Sequence, residues 1–431
     1  MTPRKLAPFT LIFAAALLAG CSILEEAFAP LPTLPPTAML PTMAQNTPTP
    51  WPTPLDTATP MGSATPKPTR TPGPTNTPAA TMPPIIRVSP KNFPDYANPL
   101  TGLPVADPLL LERKPIIVKI SNYPHSVRPQ WGISLADHVF EYYLEDGLTR
   151  FAAVFYGQDA AQVGPIRSGR IFDATLLKMY NAVVVFNGAD QKVVTYFKEN
   201  NLYNQLVVER PGITPLWRDD VRRPPNNLFG DTAAISRHVT ERGSGNERPD
   251  LVTNAFSSIG NYGRDFATRI DVNYSYANYA YWEYDPESGQ YLRYQGSRDT
   301  VIDHTYVDPQ YELLTDNLTG LPVAADNVVI IFAPHEFFYL SSDTEIFDIQ
   351  LAGQGPAYVF RDGTGNPAIW QRTAENKPLG IRNINGDYFP LRPGVTFFQV
   401  IHSDSTLKHD GATWTFDFVR PTPPPPPTAT P

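Results

Sequence analysis

The chain has 431 residues, 49 of them prolines, and a formal net charge of −8 at pH 7. Its isoelectric point near 5.4 argues against general binding to nucleic acid, which needs a basic face. Cys21 is the single cysteine, so the sequence excludes disulfides and a zinc site built from cysteines.

The N-terminus has the pattern of a secretory signal. It reads MTPRKLAPFTLIFAAALLAGCS, with Arg4 and Lys5 ahead of an apolar run over residues 11–19. A membrane-spanning helix needs about 20 apolar residues, so we expect residues 1–20 to be a cleaved signal peptide. The ending Leu-Ala-Gly-Cys looks like a bacterial lipobox, in which the acylated thiol of Cys21 holds the protein on the extracytoplasmic face of the cell membrane. The alternative is an ordinary signal peptide with an incidental cysteine.

A segment rich in proline and threonine follows over residues 21–84, as in PTPTPWPTPLDTATP. Such a composition cannot bury a core, and it predicts a disordered, partly polyproline II linker. About 55 residues at roughly 3.1 Å each would reach on the order of 170 Å from the membrane. A second segment of this kind, residues 421–431, predicts a disordered tail.

The first part of the folded region, residues 85–268, has strands interleaved with helices, which predicts a mixed α/β domain. The run KPIIVKISN is a β-rich segment that is apolar apart from Lys119, and HVFEYYLEDGLTRFAAVFYG predicts a hairpin around Asp146-Gly147. Helices are predicted over 172–180, over 191–200 after the N-cap Asp190, and from 231 to a stop at Gly243. A buried strand is predicted over 182–188.

The second part, residues 269–420, predicts a mostly β domain with few helices. Its strand-like runs are YAYWEYDPESGQYLRYQGS, NVVIIFA, FDIQLAGQGPAYVFRDG and PGVTFFQVIH. One short similarity connects the two parts, because NPLTGLPVADP starts at Asn98 and DNLTGLPVAADN starts at Asp316. The similarity reflects either a duplication or a loop that recurs before a strand.

Several stretches together resemble the YerB-like bacterial lipoproteins, a two-part domain of unknown function. They are NPLTGL, RPQWGISLADHVFEYYLEDGLTRFAAVF, VGPIRSGR, PNNLF, YLRYQGS, NVVIIF, GPAYVFRDG and LRPGVTFFQV. The resemblance implies architecture and location but no activity. It also implies a His-Asn pair in the PNNLF loop, where this chain has Asn226 and Asn227.

The stretch QVGPIRSGRIFDATLL is the strongest candidate site. Arg167 and Arg170 flank Ser168-Gly169 at a predicted helix start, where free N–H groups and the helix dipole favour an anion. Guanidinium groups would add paired hydrogen bonds to a phosphate or carboxylate. The alternative is that both arginines pair with acids of their own domain. These acids are Asp137, Glu141, Glu145 and Asp146.

A second basic stretch, LWRDDVRRPPNNLFGD, extends this candidate site if the two loops meet. The further residues predicted to line an anion-binding pocket are Arg128, Arg150, Arg222, Asn226 and Asn227. A solvated loop explains the same composition. We expect no metal and no cofactor, and Ser168 has no recognisable base beside it.

Three functions remain open. The first is binding of an anionic cell-wall polymer or peptidoglycan by a lipid-anchored protein. The second is an enzyme acting on wall glycan or phosphate, with Asp137, Glu141 or Asp146 as the acids. The third is a scaffold for another envelope protein, which an exposed apolar patch would indicate.

Overall fold

The structure is a computed structural model of the chain. It describes residues 86–260 and 265–423. The predicted signal peptide, Cys21, the linker and residues 424–431 of the predicted tail lie outside these ranges. Within them, no helix is both long enough and apolar enough to cross a membrane.

Three α-helices occur where the sequence predicts them. They are α1 (Ile171–Tyr180), α2 (Gln191–Glu199) and α3 (Thr232–Glu241). The N-cap prediction for Asp190 is confirmed, because its side chain accepts a hydrogen bond of 2.8 Å from the Lys192 N–H. Four short 3-10 helices span Pro108–Glu112, His125–Val127, Ile133–Leu135 and Tyr203–Gln205.

The remaining elements are strands, which become dominant after residue 265. In the first part they are β1 (Arg87–Val88), β2 (Ile116–Ser121), β3 (His138–Tyr143), β4 (Thr149–Phe155), β5 (Val183–Phe186), β6 (Leu206–Val208), β7 (Leu216–Arg218), β8 (Leu228–Gly230), β9 (Ala255–Ser257) and β10 (Asp265–Phe266). In the second part they are β11 (Arg269–Asn273), β12 (Tyr279–Asp285), β13 (Gln290–Gly296), β14 (Val301–Ile302), β15 (Thr305–Tyr306), β16 (Tyr311–Leu313), β17 (Ala324–Ala325), β18 (Asn327–Ala333), β19 (His335–Leu340), β20 (Glu345–Ile349), β21 (Gly353–Arg361), β22 (Thr364–Arg372), β23 (Gly380–Asn383), β24 (Pro390–Leu391), β25 (Thr396–His402), β26 (Thr406–Asp410) and β27 (Thr413–Asp417). The fold class is therefore as predicted, an α/β first part and a mostly β second part.

One large sheet contains strands from both parts of the chain. Its order is β10-β22-β21-β18-β25-β3-β4-β2-β5-β6, with β23 added beside β22. The two parts join where β25 runs parallel to β3, from the pair Thr396 and His138 to the pair Val400 and Tyr142. Every residue of both strands is buried. Each strand therefore supplies the hydrogen bonds that the backbone of the other needs, and both need covering layers over their apolar faces. The segments predicted as 85–268 and 269–420 consequently belong to one compact unit.

Two layers cover this sheet. On one face, α1 and α2 pack against an apolar core that includes Phe140, Phe172 and Phe398. On the other face, a second core joins α3 to a seven-stranded sheet of order β16-β13-β12-β11-β27-β26, with β17 beside β13, through residues such as Trp282 and Phe416. Most of the clustered tyrosines and tryptophans of β12 and β13 therefore serve packing, as strand aromatics usually do.

The two LTGLPV segments form the same turn. Gly102 and Gly320 have φ angles of 70° and 71°, and each donates its N–H to the residue four positions earlier, Asn98 or Asp316. Each of these two side chains also accepts from a backbone N–H two residues later. A positive φ at the fifth residue favours glycine, so the recurring sequence follows from a recurring turn.

Candidate functional site

The loop that carries the RSGR motif lies along the carboxyl ends of β2 and β5. The Arg167 N–H donates to the Lys119 carbonyl at 3.0 Å, and the Asn187 N–H donates to the Arg167 carbonyl at 3.0 Å. The Gly169 N–H donates to the Gly188 carbonyl at 2.9 Å. The helix α1 begins just after the RSGR loop, and α2 begins just after the loop that follows β5. Both helix N-termini therefore start at this edge of the sheet. Ligands of open α/β sheets bind at this kind of edge.

Arg170 pairs with an acid of its own domain. Its Nε donates to Glu145 Oε2 at 2.9 Å, and an Nη2 hydrogen bond to the same carboxylate completes a paired contact. A third bond runs from Nη1 to the Gly169 carbonyl. For Arg170, the structure therefore matches the alternative that the arginine pairs with an acid of its own domain.

Arg167 is different, because its guanidinium is left without a partner. Within residues 86–260 and 265–423 its side chain makes no hydrogen bond or ion pair, although the residue is half-buried and its Nε is shielded from solvent. Burial, followed by the field of Arg170, lowers its pKa. A half-buried cation without a direct partner has lost part of its hydration, and here only the charge of the nearby Glu145 offsets that loss. An incoming anion would supply what is missing.

Arg150 lies beside the same loop. Its side chain is 7% exposed, and Nη1 donates to the Ser168 carbonyl at 2.9 Å. Burial and then the charge of Arg170 lower its pKa to about 9, and Arg167 acts in the same direction. The Glu145 carboxylate acts on both Arg150 and Arg167 through its charge, and it also pairs with Arg170.

Beneath these arginines is a buried cluster that sequence reasoning did not assign to the site. Lys119 and Asp173 are both fully buried, with Nζ 3.1 Å from Oδ1. Tyr142 donates from its hydroxyl to Asp173 Oδ1 at 2.6 Å and accepts from Lys119. Burial lowers the pKa of Lys119 to about 8, against the opposing effect of Asp173. The signal in the sequence was Lys119, the one charge within the strand run IIVKIS.

Asp173 connects this cluster to the start of α1. Its second oxygen, Oδ2, accepts from the Arg170 N–H at 2.7 Å, which is one half of a capping box. The buried carboxylate therefore holds both Lys119 and the backbone of the RSGR loop. We assign Lys119 and Asp173 a positioning role for the arginines.

The second basic loop meets the first through Asn187. Arg218 Nη1 donates to Asn227 Oδ1 at 2.6 Å, and Nη2 donates to Asn187 Oδ1 at 3.2 Å. Arg218 also pairs with Glu209, with 2.6 Å between Nε and Oε1. Since the Asn187 N–H bonds to Arg167, the structure brings Asn227 to the same sheet edge as the RSGR loop.

Other predicted site residues lie elsewhere. Arg222 stacks on Trp131, with Cζ 4.2 Å from the ring centre, and donates to the Val127 carbonyl. Asn226 has a buried Oδ1 without a hydrogen bond. Arg128 donates to the carbonyls of Gly296 and Asn122, and so ties the first part of the chain to the second. The prediction that Arg128 and Arg222 join the RSGR loop in one pocket stays a prediction. Among the described residues their guanidinium groups donate to other backbone carbonyls and do not hydrogen-bond to that loop.

The three acids named for catalysis do not share a cleft. Asp137 is buried and accepts from Asn98 and from the N–H groups of Tyr156 and Gly157, and burial raises its pKa to about 6. Glu141 is buried against Arg293. Asp146 is exposed at the turn between β3 and β4. Two of the three are therefore structural groups of the core.

A cavity of about 640 Å³ opens beside the RSGR loop. Ser168 and Arg170 form part of one wall, and the tip of the β19-β20 hairpin forms another. Its charged lining comprises Glu145, Asp146, Arg170, Asp190, Asp343, Glu345 and Arg420. Arg420 pairs with Glu345, as Arg170 does with Glu145, so this space itself does not attract an anion.

Comparison with known proteins agrees with this architecture. Residues 100–245 match the N-terminal domain of a family described as "Protein of unknown function (DUF3048)", and residues 270–398 match its C-terminal domain. The chain belongs to the DUF3048 family. A Bacillus subtilis (strain 168) protein named "Putative lipoprotein YerB" is 27% identical over 307 residues, which is 70% of this chain and 85% of that protein. The crystal structure of YerB protein from Bacillus subtilis superposes with a TM-score of 0.57 at 26% identity, covering 72% of this chain and 97% of that one.

The candidate site divides unequally between the two DUF3048 domains. Arg150, Arg167 and Arg170 all lie in the N-terminal match, together with Lys119 and Asp173. The hairpin that closes the neighbouring cavity lies in the C-terminal match. The basic cluster of this chain thus lies within its N-terminal DUF3048 match, and residues of both matches line the neighbouring cavity.

Proposed function

We propose that this chain is a lipid-anchored protein of the bacterial envelope that binds an anionic wall polymer or peptidoglycan at the arginine cluster of Arg150, Arg167 and Arg170. The anchor is supported by the lipobox that ends at Cys21 and by the name of the Bacillus subtilis relative. Binding is supported chiefly by one observation, the half-buried Arg167 guanidinium without a partner among the described residues.

The chemistry of the cluster favours an anion with several oxygens. Arg150 adds positive charge near Arg167, and α1 and α2 both begin at this edge. A guanidinium forms paired, charge-assisted hydrogen bonds with phosphate or carboxylate groups. A polymer that carries such groups along its length would reach Arg167 without entering a closed pocket.

Arg167→Gln is expected to weaken binding of purified anionic wall polymer about tenfold, which is the loss of one charge-assisted contact. Because the guanidinium has no partner to leave unsatisfied, the unfolding midpoint should stay within a degree or two of the original. Binding is measured by titration calorimetry and folding by thermal denaturation.

Arg87→Gln is the matched control, because Arg87 is an exposed arginine on β1 and its loss changes the net charge equally. It should leave binding unchanged. Equal weakening by both variants would mean that the polymer responds to net charge alone, and unchanged binding in Arg167→Gln would remove the site assignment.

Cys21→Ser tests the anchor separately. Without the thiol there is no acceptor for the lipid, so the chain should move from the membrane fraction to the soluble fraction of the producing cells. Fractionation followed by immunoblotting measures this shift. A variant that stays entirely with the membrane would contradict lipid anchoring through Cys21.

A further inference from the structure

A separate cavity of about 330 Å³ lies at the end of α3, far along the chain from the RSGR loop. Its walls come from the 3-10 helix Tyr203–Gln205, from β6 and the loop that follows, and from the last turn of α3. The charged or titratable side chains that line it are Tyr203, Arg210, His238 and Arg242, and no carboxylate of the described residues lines it. Glu241, next to Arg242 in the chain, lines a different cavity.

Both arginines are held over the same short segment by neutral partners. Arg210 Nη2 donates to the Tyr203 hydroxyl at 2.6 Å. Arg242 donates to the carbonyls of Leu206 and Asn204 at 2.8 and 2.7 Å. Neither forms an ion pair with any residue that the structure describes, whereas Arg218 nearby pairs with Glu209. Within the described ranges, no carboxylate therefore pairs with the two arginines of this cavity, and both are exposed to solvent.

Arg210 is the more informative of the two. The C-terminus of a helix favours cations, and this accounts for His238 and Arg242 on α3 without any ligand. Arg210 follows β6 and has no helix end beside it, and of its guanidinium nitrogens only Nη2 has a hydrogen-bond partner among the described residues. Its Nε and Nη1 therefore keep donors available for a ligand.

Apolar side chains also line this cavity, which is partly open to solvent. Ile213 is 64% exposed and Tyr203 is 37% exposed, and both line the cavity with Leu206 and Val208. Large apolar side chains at the rim of a cavity are typical of ligand sites. Guanidinium groups and apolar side chains in one cavity match a ligand that has both an anionic group and an apolar part.

We propose that this cavity binds a small organic anion, a phosphate ester or carboxylate carried on a ring or short apolar body. Arg210 and Arg242 hold the anionic group, while Tyr203 and Ile213 contact the apolar part. The volume accommodates a molecule of about a dozen heavy atoms, at the small end of ligand sites. This site is independent of the arginine cluster that the proposed function uses.

Titration calorimetry of the full-length chain with phenyl phosphate and with inorganic phosphate tests the proposal, at pH 7 and low ionic strength. Phenyl phosphate should bind more tightly, because its ring is buried against Ile213. Arg210→Gln should weaken its binding about tenfold, since one charge-assisted contact is lost. Ile213→Ser should reduce the difference in affinity between phenyl phosphate and inorganic phosphate.

Arg237→Gln is the control, because Arg237 is exposed on the same helix and lines a different cavity. It should bind phenyl phosphate as the original chain does, and thermal denaturation should show that every variant is folded. The proposal is overturned if neither probe binds at millimolar concentration, if Arg210→Gln binds normally, or if Arg167→Gln abolishes binding instead.

Discussion

Arg293→Met is expected to lower the free energy of unfolding by about 3–5 kcal/mol. Arg293, on β13, is fully buried and pairs with Glu141 on β3, with 2.7 Å between Nη2 and Oε2. Its guanidinium lies 5.1 to 5.2 Å from the ring centres of Phe151, Trp282 and Phe397. Removing it leaves the Glu141 carboxylate buried between the two sheets without its counter-ion. Urea denaturation measures the loss.

The double variant Glu141→Gln, Arg293→Met separates the charge from the packing. A neutral amide at position 141 can still accept from Asn122 and Thr149, which now donate to Glu141. We therefore expect the double variant to recover at least half of the lost stability. If the single variant loses less than about 1 kcal/mol, the pair is not important for holding the sheets together.

Lys119→Met is expected to lower the free energy of unfolding by a similar amount, about 3–5 kcal/mol. The change leaves the buried carboxylate of Asp173 without its counter-ion. The same change should disturb the RSGR loop, since Asp173 also holds the Arg170 N–H. Binding of the anionic wall polymer should fall together with stability. Lys119→Met combined with Asp173→Asn should recover part of the stability, and it should leave polymer binding weak if the cluster positions the arginines.

The pH dependence of stability distinguishes this lysine from an ordinary surface lysine. Its pKa is about 8 in the folded state and 10.5 in the unfolded chain, so between these values the unfolded state binds more protons. Stability then rises as the pH increases through this window, by up to about 1.4 kcal/mol for each unit. Between pH 8 and 9.5 the original chain should gain stability relative to Lys119→Met. Parallel curves for the two proteins would contradict the buried, easily deprotonated state of Lys119.

The helices and strands could be predicted because their signals are local. Asp190 caps the helix that begins at the next residue, and glycine at positions 102 and 320 permits the positive φ of each recurring turn. The alternation of apolar runs with caps and turns required no knowledge of the rest of the chain. This is why α1, α2 and α3 lie where the sequence predicts them.

The partners of the site residues could not be predicted in the same way. Arg170 bonds to Glu145, 25 positions earlier, and Arg128 bonds to Gly296, 168 positions later. Each had several possible acceptors, and only the folded chain selects among them. Lys119 was visible as a charge in an apolar strand, but nothing local identified Asp173 and Tyr142 as its partners.

By itself, the sequence determined the location signal, the α/β first part and mostly β second part, and the loops in which basic residues concentrate. These follow from composition, periodicity and capping, which act over a few residues. Only the tertiary structure decided that β25 pairs with β3 to join both parts in one sheet, that Glu145 pairs with Arg170, and that Arg167 has no direct partner in the part of the chain that the structure describes. These contacts depend on which groups far apart in the sequence come together and on how much hydration each of them loses. Both pairing and desolvation are properties of the folded molecule.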